Sequence, residues 1–240
     1  MRIEASTSVW AQPISARVAE LFLLCFPESV RDMFGDRPPR TEAMADFFAF
    51  IVRTEPEAVQ LARTGPGNEA VQLAGTGPGK TGDWSDVVGY AITLRSMPRI
   101  WALAARTFAW LPWLARFLTG RYGLSLAALP RILRGKMVFA RSFRPADEVE
   151  AQVLSVAVDP AWCGRGVGRA LLERGLGYLR CQNVQRVKLE VLDDNLSAFH
   201  LYESLGFRPV GEAPAGSKRW IIMIRELEAI LPAGARPRLP

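Results

Sequence analysis

The chain has 240 residues, 49% hydrophobic and 22% charged, with a formal net charge of +6, which fits a globular domain carrying an insertion and argues against a disordered or fibrous chain. Three cysteines, odd in number and irregularly spaced (Cys25, Cys163, Cys181), argue against a disulfide framework or a zinc site, and a single histidine argues against a His-based metal centre. The start, MRIEASTSVW, lacks a basic-then-apolar secretory layout, so a cytoplasmic protein in a reducing compartment is expected.

In chain order, a short strand is predicted over Arg2 to Ala5, before a helix on which Val18, Leu21, Phe22 and Cys25 recur at helical spacing. Pro27 is expected to close that helix. MADFFAFIV, Met44 to Val52, predicts a second helix. An internal duplication follows, AVQLARTGPGNE (58–69) and then AVQLAGTGPGKT (70–81). Two copies are too few for a solenoid, and the expectation is one strand with a copied, flexible Gly/Pro loop. VVGYAITL, Val87 to Leu94, is β-branched and short, hence a strand.

From Val87 to Ala146 there is no Asp or Glu but ten basic residues, while the rest of the chain carries more acids than bases. The basic character therefore belongs to one segment, and nucleic acid is not an expected partner. Within it, IWALAARTFAWLPWLARFL predicts helix, broken or kinked at Pro112. Arg106 and Arg116 leave no uncharged run of about 18 residues to span a bilayer. Afterwards the pattern gives a strand (Val153 to Val158), a glycine loop, a helix (about Val167 to Cys181), a strand (Val187 to Leu192) and a helix (Leu196 to Ser204). Two short strands follow, near Phe207 to Gly211 and Trp220 to Arg225. Such alternation implies an α/β fold, with a mixed sheet and helices on its faces.

Two glycine-rich loops invite a phosphate. AGTGPGKT, Ala74 to Thr81, resembles a loosened P-loop, but a strand follows where a helix is required, and the sister copy has Asn68 in place of the lysine. WCGRGVGRALLERG, Trp162 to Gly175, has the right context, strand before and helix after. Gly164, Gly166 and Gly168 let successive N–H groups converge on an anion, the helix N-terminus adds its positive end, and Arg165 and Arg169 supply charge. Glycine at every second position favours anion binding over an ordinary strand-to-helix turn.

With NLSAFHLYESLGF, Asn195 to Phe207, this loop resembles the GCN5-related N-acetyltransferase (GNAT) superfamily, well over Val149 to Leu227 and elsewhere in element order. Gly166 and Gly168 match the family's Arg/Gln-x-x-Gly-x-Gly/Ala loop. Asn195, Ala198, Tyr202, Gly206 and Phe207 match its later helix. The resemblance implies a mostly antiparallel mixed sheet with helices on both faces, and an N-acetyltransferase that passes acetyl from acetyl-CoA, a cosubstrate, directly to a primary amine through a tetrahedral intermediate without a metal. It implies pyrophosphate on the amides of Cys163, Gly164, Arg165, Gly166, Val167, Gly168 and Arg169. The pantetheine arm would pair along Val156, Ala157 and Val158, with Asn195 and Ala198 also at the cofactor.

Tyr202, read from its helix alone a core aromatic, becomes through the motif the general acid for the leaving thiolate. Glu190 is the candidate base, because the ribosomal-protein alanine acetyltransferases of this superfamily carry a glutamate twelve residues before the tyrosine. Its alternative is a solvated strand glutamate. Glu148 and Glu150 are weaker candidates and His200 reads as a surface residue. Cys163 stands where the family has Arg or Gln and reads as filler, although a helix N-terminus can activate a thiol. A non-catalytic acyl-CoA-binding sensor or interaction module is the alternative function.

The acceptor is a small-molecule amine or a protein N-terminus. Residues 97–147 form an insertion between the third and fourth strands of what reads as a single domain. That basic, Trp-rich insert either packs over the acceptor site or makes a peripheral membrane or partner contact.

Overall fold

The computed structural model of the chain describes residues 8–35, 37–65, 71–76, 84–124, 148–215 and 218–228. The strand expected over Arg2 to Ala5, the second part of the insertion (125–147) and the lysine end of the P-loop-like stretch lie outside the described residues.

Helix α1 (Ser8–Cys25) ends before Pro27, which opens α2 (Pro27–Phe34) instead of merely closing its predecessor. Proline suits a first turn, where its missing N–H would have no partner. Helix α3 (Thr41–Thr54) buries Phe48, Phe50, Ile51 and Val52. The duplicated segment departs from expectation. Each copy forms a strand, β1 (Val59–Thr64) and β2 (Val71–Gly75), paired antiparallel from Gln60 with Gly75 to Thr64 with Val71. The same Val-Gln-Leu-Ala occurs in both copies, so duplication supplied a second strand able to extend the sheet, rather than a loop.

Strand β3 (Val87–Leu94) is buried throughout. Helices α4 (Met97–Arg106) and α5 (Trp110–Leu118) follow. The break between them falls at Thr107 to Ala109, where Phe108 takes φ 53°. Pro112 sits inside the first turn of α5, where a proline is tolerated, and so does not itself break the helix. Then come β4 (Ala151–Val158), α6 (Val167–Cys181), β5 (Arg186–Leu192), α7 (Leu196–Ser204), β6 (Arg208–Ala215) and β7 (Lys218–Glu226).

The seven strands form one sheet in the order β2-β1-β3-β4-β5-β7-β6, antiparallel at every neighbour except β4 and β5. One face is covered by α1, α3 and the α4–α5 pair around Phe48, Ile51, Tyr90 and Ile92. The other is covered by α6 and α7, over Val153, Leu172, Leu189 and Phe207. A Cβ on Gly175 would lie 2.5 Å from Thr93 Cγ2, so glycine is what lets α6 press onto β3.

Candidate active site

The site is built where the sheet comes apart. β4 and β5 pair only at Ala151 with Val187 and Gln152 with Lys188. Beyond that they diverge, so residues 153–158 of β4 present an edge that β5 does not fill. A register shift contributes: Ile92 faces Ser155 while Thr93 faces Val153, which leaves Leu154 as an extra residue. Such a bulge bends its strand and strengthens its twist. Val156, Ala157 and Val158 lie on the opened stretch.

At the end of this edge the chain turns through a short 3₁₀ segment (Pro160–Trp162), capped by the Asp159 carboxylate accepting from the Ala161 N–H at 3.0 Å. The glycine loop follows. Gly164 and Gly166 take φ +75° and +77°, and a Cβ on either would touch nothing within 4 Å. Backbone conformation, rather than space, therefore requires glycine there. The first bond within α6 runs from the Ala170 N–H to the Gly166 carbonyl at 3.0 Å. The N–H groups of Val167, Gly168 and Arg169 precede it and point along the helix start without an intrahelical acceptor. Residues 164–166 are exposed, so their amides are open to a ligand, whereas the Cys163 N–H, also expected at the pyrophosphate, is taken up by the Pro160 carbonyl at 3.3 Å.

Arg165 spreads its guanidinium over the Trp162 ring, 4.7 Å from the centroid. Arg169 donates to Ser204 Oγ at 2.5 Å and pairs with Glu173 at 3.5 Å. It also opens onto a cavity of about 610 Å³ whose lining includes Arg180, Arg225 and Gly206. Arg180 buries its Nε there without a partner among the described residues. Burial and the neighbouring Arg180 charge lower the pKa of Arg225. These two arginines escaped the sequence reading because they stand on different elements, and no spacing links them.

Tyr202 projects from α7 into the cluster beneath the opened strands, its ring 6.0 Å from Phe207. Burial alone pushes its phenol up to about 12. Among the described residues no hydrogen bond reaches its hydroxyl. Glu190 stands on β5, two residues past the last β4 pair. Val187, Leu189 and Val191 face α6 and α7, so the strand alternation puts Glu190 on the opposite face. Burial pushes its carboxyl up to about 7, against the lowering effects of Lys188 and of Gln152, whose Nε2 donates to both Glu190 oxygens at 3.1 Å. Acid and base candidates thus flank one opening from its two faces.

The remaining expectations sort themselves by contact. Asn195 caps α7, accepting from the Ala198 N–H at 3.1 Å. His200 is exposed and within 3.3 Å of Glu203. Glu148 is exposed and pairs with Arg186 at 3.5 Å. Exposed Cys163 has an unforeseen companion: its thiol and that of Cys25 approach the same Val158 carbonyl, at 3.7 and 3.4 Å. Among the described residues no group of three or more His, Cys, Asp or Glu could hold a metal ion. No helix among them is long and apolar enough to cross a membrane.

Residues 131–207 match the acetyltransferase (GNAT) family. The chain is 34% identical over 117 residues to the [ribosomal protein bS18]-alanine N-acetyltransferase of Salmonella typhimurium, covering 48% of this chain and 77% of that one. It is 40% identical over 76 residues to a mycothiol acetyltransferase of Beutenbergia cavernae, covering 32% of this chain but only 26% of that longer protein. The crystal structure of SsHAT shares the fold, with TM-score 0.56 and 22% identity over 89% of this chain and 94% of that one. Opened sheet, glycine loop and tyrosine helix agree with these likenesses: the chain belongs to the GNAT family of acetyltransferases.

Proposed function

We propose that the protein is an acetyl-CoA-dependent N-acetyltransferase acting on a primary amine by direct transfer. The observation that carries this reading is the parting of β4 and β5 directly before a loop of exposed, unpartnered amides, with Tyr202 and Glu190 on either side. An extended pantetheine arm fits the free β4 edge as an added strand, held by main-chain hydrogen bonds. The pyrophosphate then falls on the N–H groups from Gly164 to Arg169, at the positive end of α6. The phosphorylated end of the cosubstrate has Arg169, Arg180 and Arg225 within one cavity, and the unpartnered Arg180 donor supports an anion there.

The proton inventory follows from the two perturbed groups. An acceptor ammonium must lose a proton before its nitrogen can attack the thioester carbonyl, and Glu190 can take it once ionised, above pH about 7. Charge developing on the carbonyl oxygen is met by a backbone N–H of the free β4 edge. As the carbon–sulfur bond breaks, the departing thiolate takes the Tyr202 proton, and the proton shed by the newly acylated nitrogen restores the phenol. With its pKa near 12 the phenol stays protonated over the working range, and gives its proton up only as negative charge accumulates on sulfur. The longer match with a protein N-terminal acetyltransferase supports a protein or peptide N-terminal amine as acceptor, ahead of a small metabolite.

Calorimetric titration with acetyl-CoA tests the cosubstrate. Saturable binding is expected, accompanied by a rise in Tm. Gly166→Ala, which forces an L side chain to φ +77°, should cost about 1–2 kcal/mol of loop stability and weaken acetyl-CoA about ten-fold. Absence of binding and of any thermal shift at millimolar acetyl-CoA would overturn the reading.

A further inference from the structure

The outer surface of α4 and α5 is unusual for a soluble helix pair. α4 buries Ile100 and Ala104, but α5 has no buried residue. The pair is nevertheless fixed to α3. Trp113 meets Phe50 edge-on at 5.5 Å, Trp101 stacks on Phe47 at 6.0 Å, and Arg116 pairs with the buried Asp46, which also accepts from the Tyr122 hydroxyl at 2.7 Å. Trp113 and Arg116 occupy the inward side of α5. The opposite side carries Trp110, Leu111, Leu114 and Leu118, which at about 100° per residue fall within one arc of about 100°.

Those four residues are 41%, 47%, 43% and 65% exposed, and Phe108, at the break before α5, is 60% exposed. Six of the nine large hydrophobic residues exposed among the described ones lie between Trp101 and Leu118. Around them Arg99, Arg106 and Arg121 are exposed, and no acidic residue occurs from Val87 to Ala146.

We propose that this face docks on an anionic lipid surface, with the α5 stripe entering the interface and the arginines meeting headgroups. A lipid interface accepts apolar side chains and cations of one sign at the same time. A second copy of the chain would bring two acid-free, basic faces together, which like-charge repulsion opposes. A nucleic acid would satisfy the arginines but leave a continuous stripe of Trp and Leu without a partner. The rigid anchorage on α3 means that the face is presented without a folding cost on docking.

Co-sedimentation of the full chain with vesicles tests the proposal. Phosphatidylcholine vesicles should capture little protein. Vesicles with roughly one-third phosphatidylglycerol should bind at least about ten-fold more, and raised salt should weaken that binding. The double change Trp110→Ser with Leu114→Ser should lower capture about ten-fold or more while acetyl-CoA binding persists. Arg99→Gln, Arg106→Gln and Arg121→Gln together should remove the preference for anionic vesicles. A blue shift of tryptophan emission on anionic vesicles, lost in the Trp110 variant, would support insertion. Equal capture by both vesicle types, no capture by either, or self-association abolished by Leu114→Ser would overturn the proposal.

Discussion

Tyr202→Phe should lower kcat by roughly 10²- to 10³-fold while leaving the KM for acetyl-CoA within about three-fold, because general acid catalysis contributes in that range. The change removes one hydroxyl that has no protein hydrogen bond among the described residues, and it keeps the ring against Phe207. The fold therefore loses little, and Tm should stay within about 2 °C. That separates chemistry from packing. A core role would lower stability and leave turnover per folded molecule intact, whereas an acid role does the reverse. Steady-state kinetics beside a thermal melt read both quantities.

Glu190→Gln carries the second large effect, and its pH dependence fixes the sign. A base is active when ionised, so wild-type kcat should climb with pH through about 7 and level off above it. The glutamine variant should be slower by about ten-fold or more at pH 7.5. Its remaining profile should follow the acceptor amine itself, near pH ~8 for an α-amine. Stability moves the opposite way. The carboxyl has a higher pKa in the folded chain than its ordinary 4.5, so the native state holds the extra proton between pH 4.5 and about 7. Wild-type stability associated with Glu190 is thus fully present below that window and is lost as pH rises through about 7. Glutamine carries no such penalty, and the variant should be more stable than wild type at pH 8 by on the order of 2 kcal/mol, with the gap closing near pH 5. Denaturant melts at the two pH values check the difference. A variant that is slower at pH 7.5 and also less stable at pH 8 would identify Glu190 as a structural residue.

The sequence disclosed the parts of this fold that depend on local pattern. The extents predicted for α7 and β3 coincide with those found, because β-branched density marks the strand and Asn195 caps the helix. The glycine loop was legible for the same reason: few residue types besides glycine tolerate φ near +75°, as at Gly164 and Gly166. The hairpin of β1 and β2 was hidden because a Gly-Pro-Gly run stands near the end of each copy of the duplicated segment, and two identical strands look like one strand repeated. Long-range facts were less accessible still. The alternation of β5 is visible, but which face it buries depends on where α6 and α7 pack, so Glu190 could be read as solvated. Its partner Gln152, the bulge at Leu154 and the meeting of Arg180 with Arg225 join residues far apart in the chain, and no spacing rule reports them. The family motif points to Tyr202 at the cosubstrate; the geometry adds that its hydroxyl makes no hydrogen bond to a described residue.

In the proposed reaction the opened sheet, the loop amides and Tyr202 together transfer acetyl to an amine. Its most direct test incubates the purified full chain with acetyl-CoA and a panel of peptides with free N-termini and small primary amines. CoA release and acetylated product are then measured together by mass spectrometry. Saturable product formation matching CoA release one for one is expected, with peptide N-termini preferred and turnover largely lost in Tyr202→Phe. Tight acetyl-CoA binding with no product from any amine would contradict it, and would leave a module that binds acyl-CoA without catalysis.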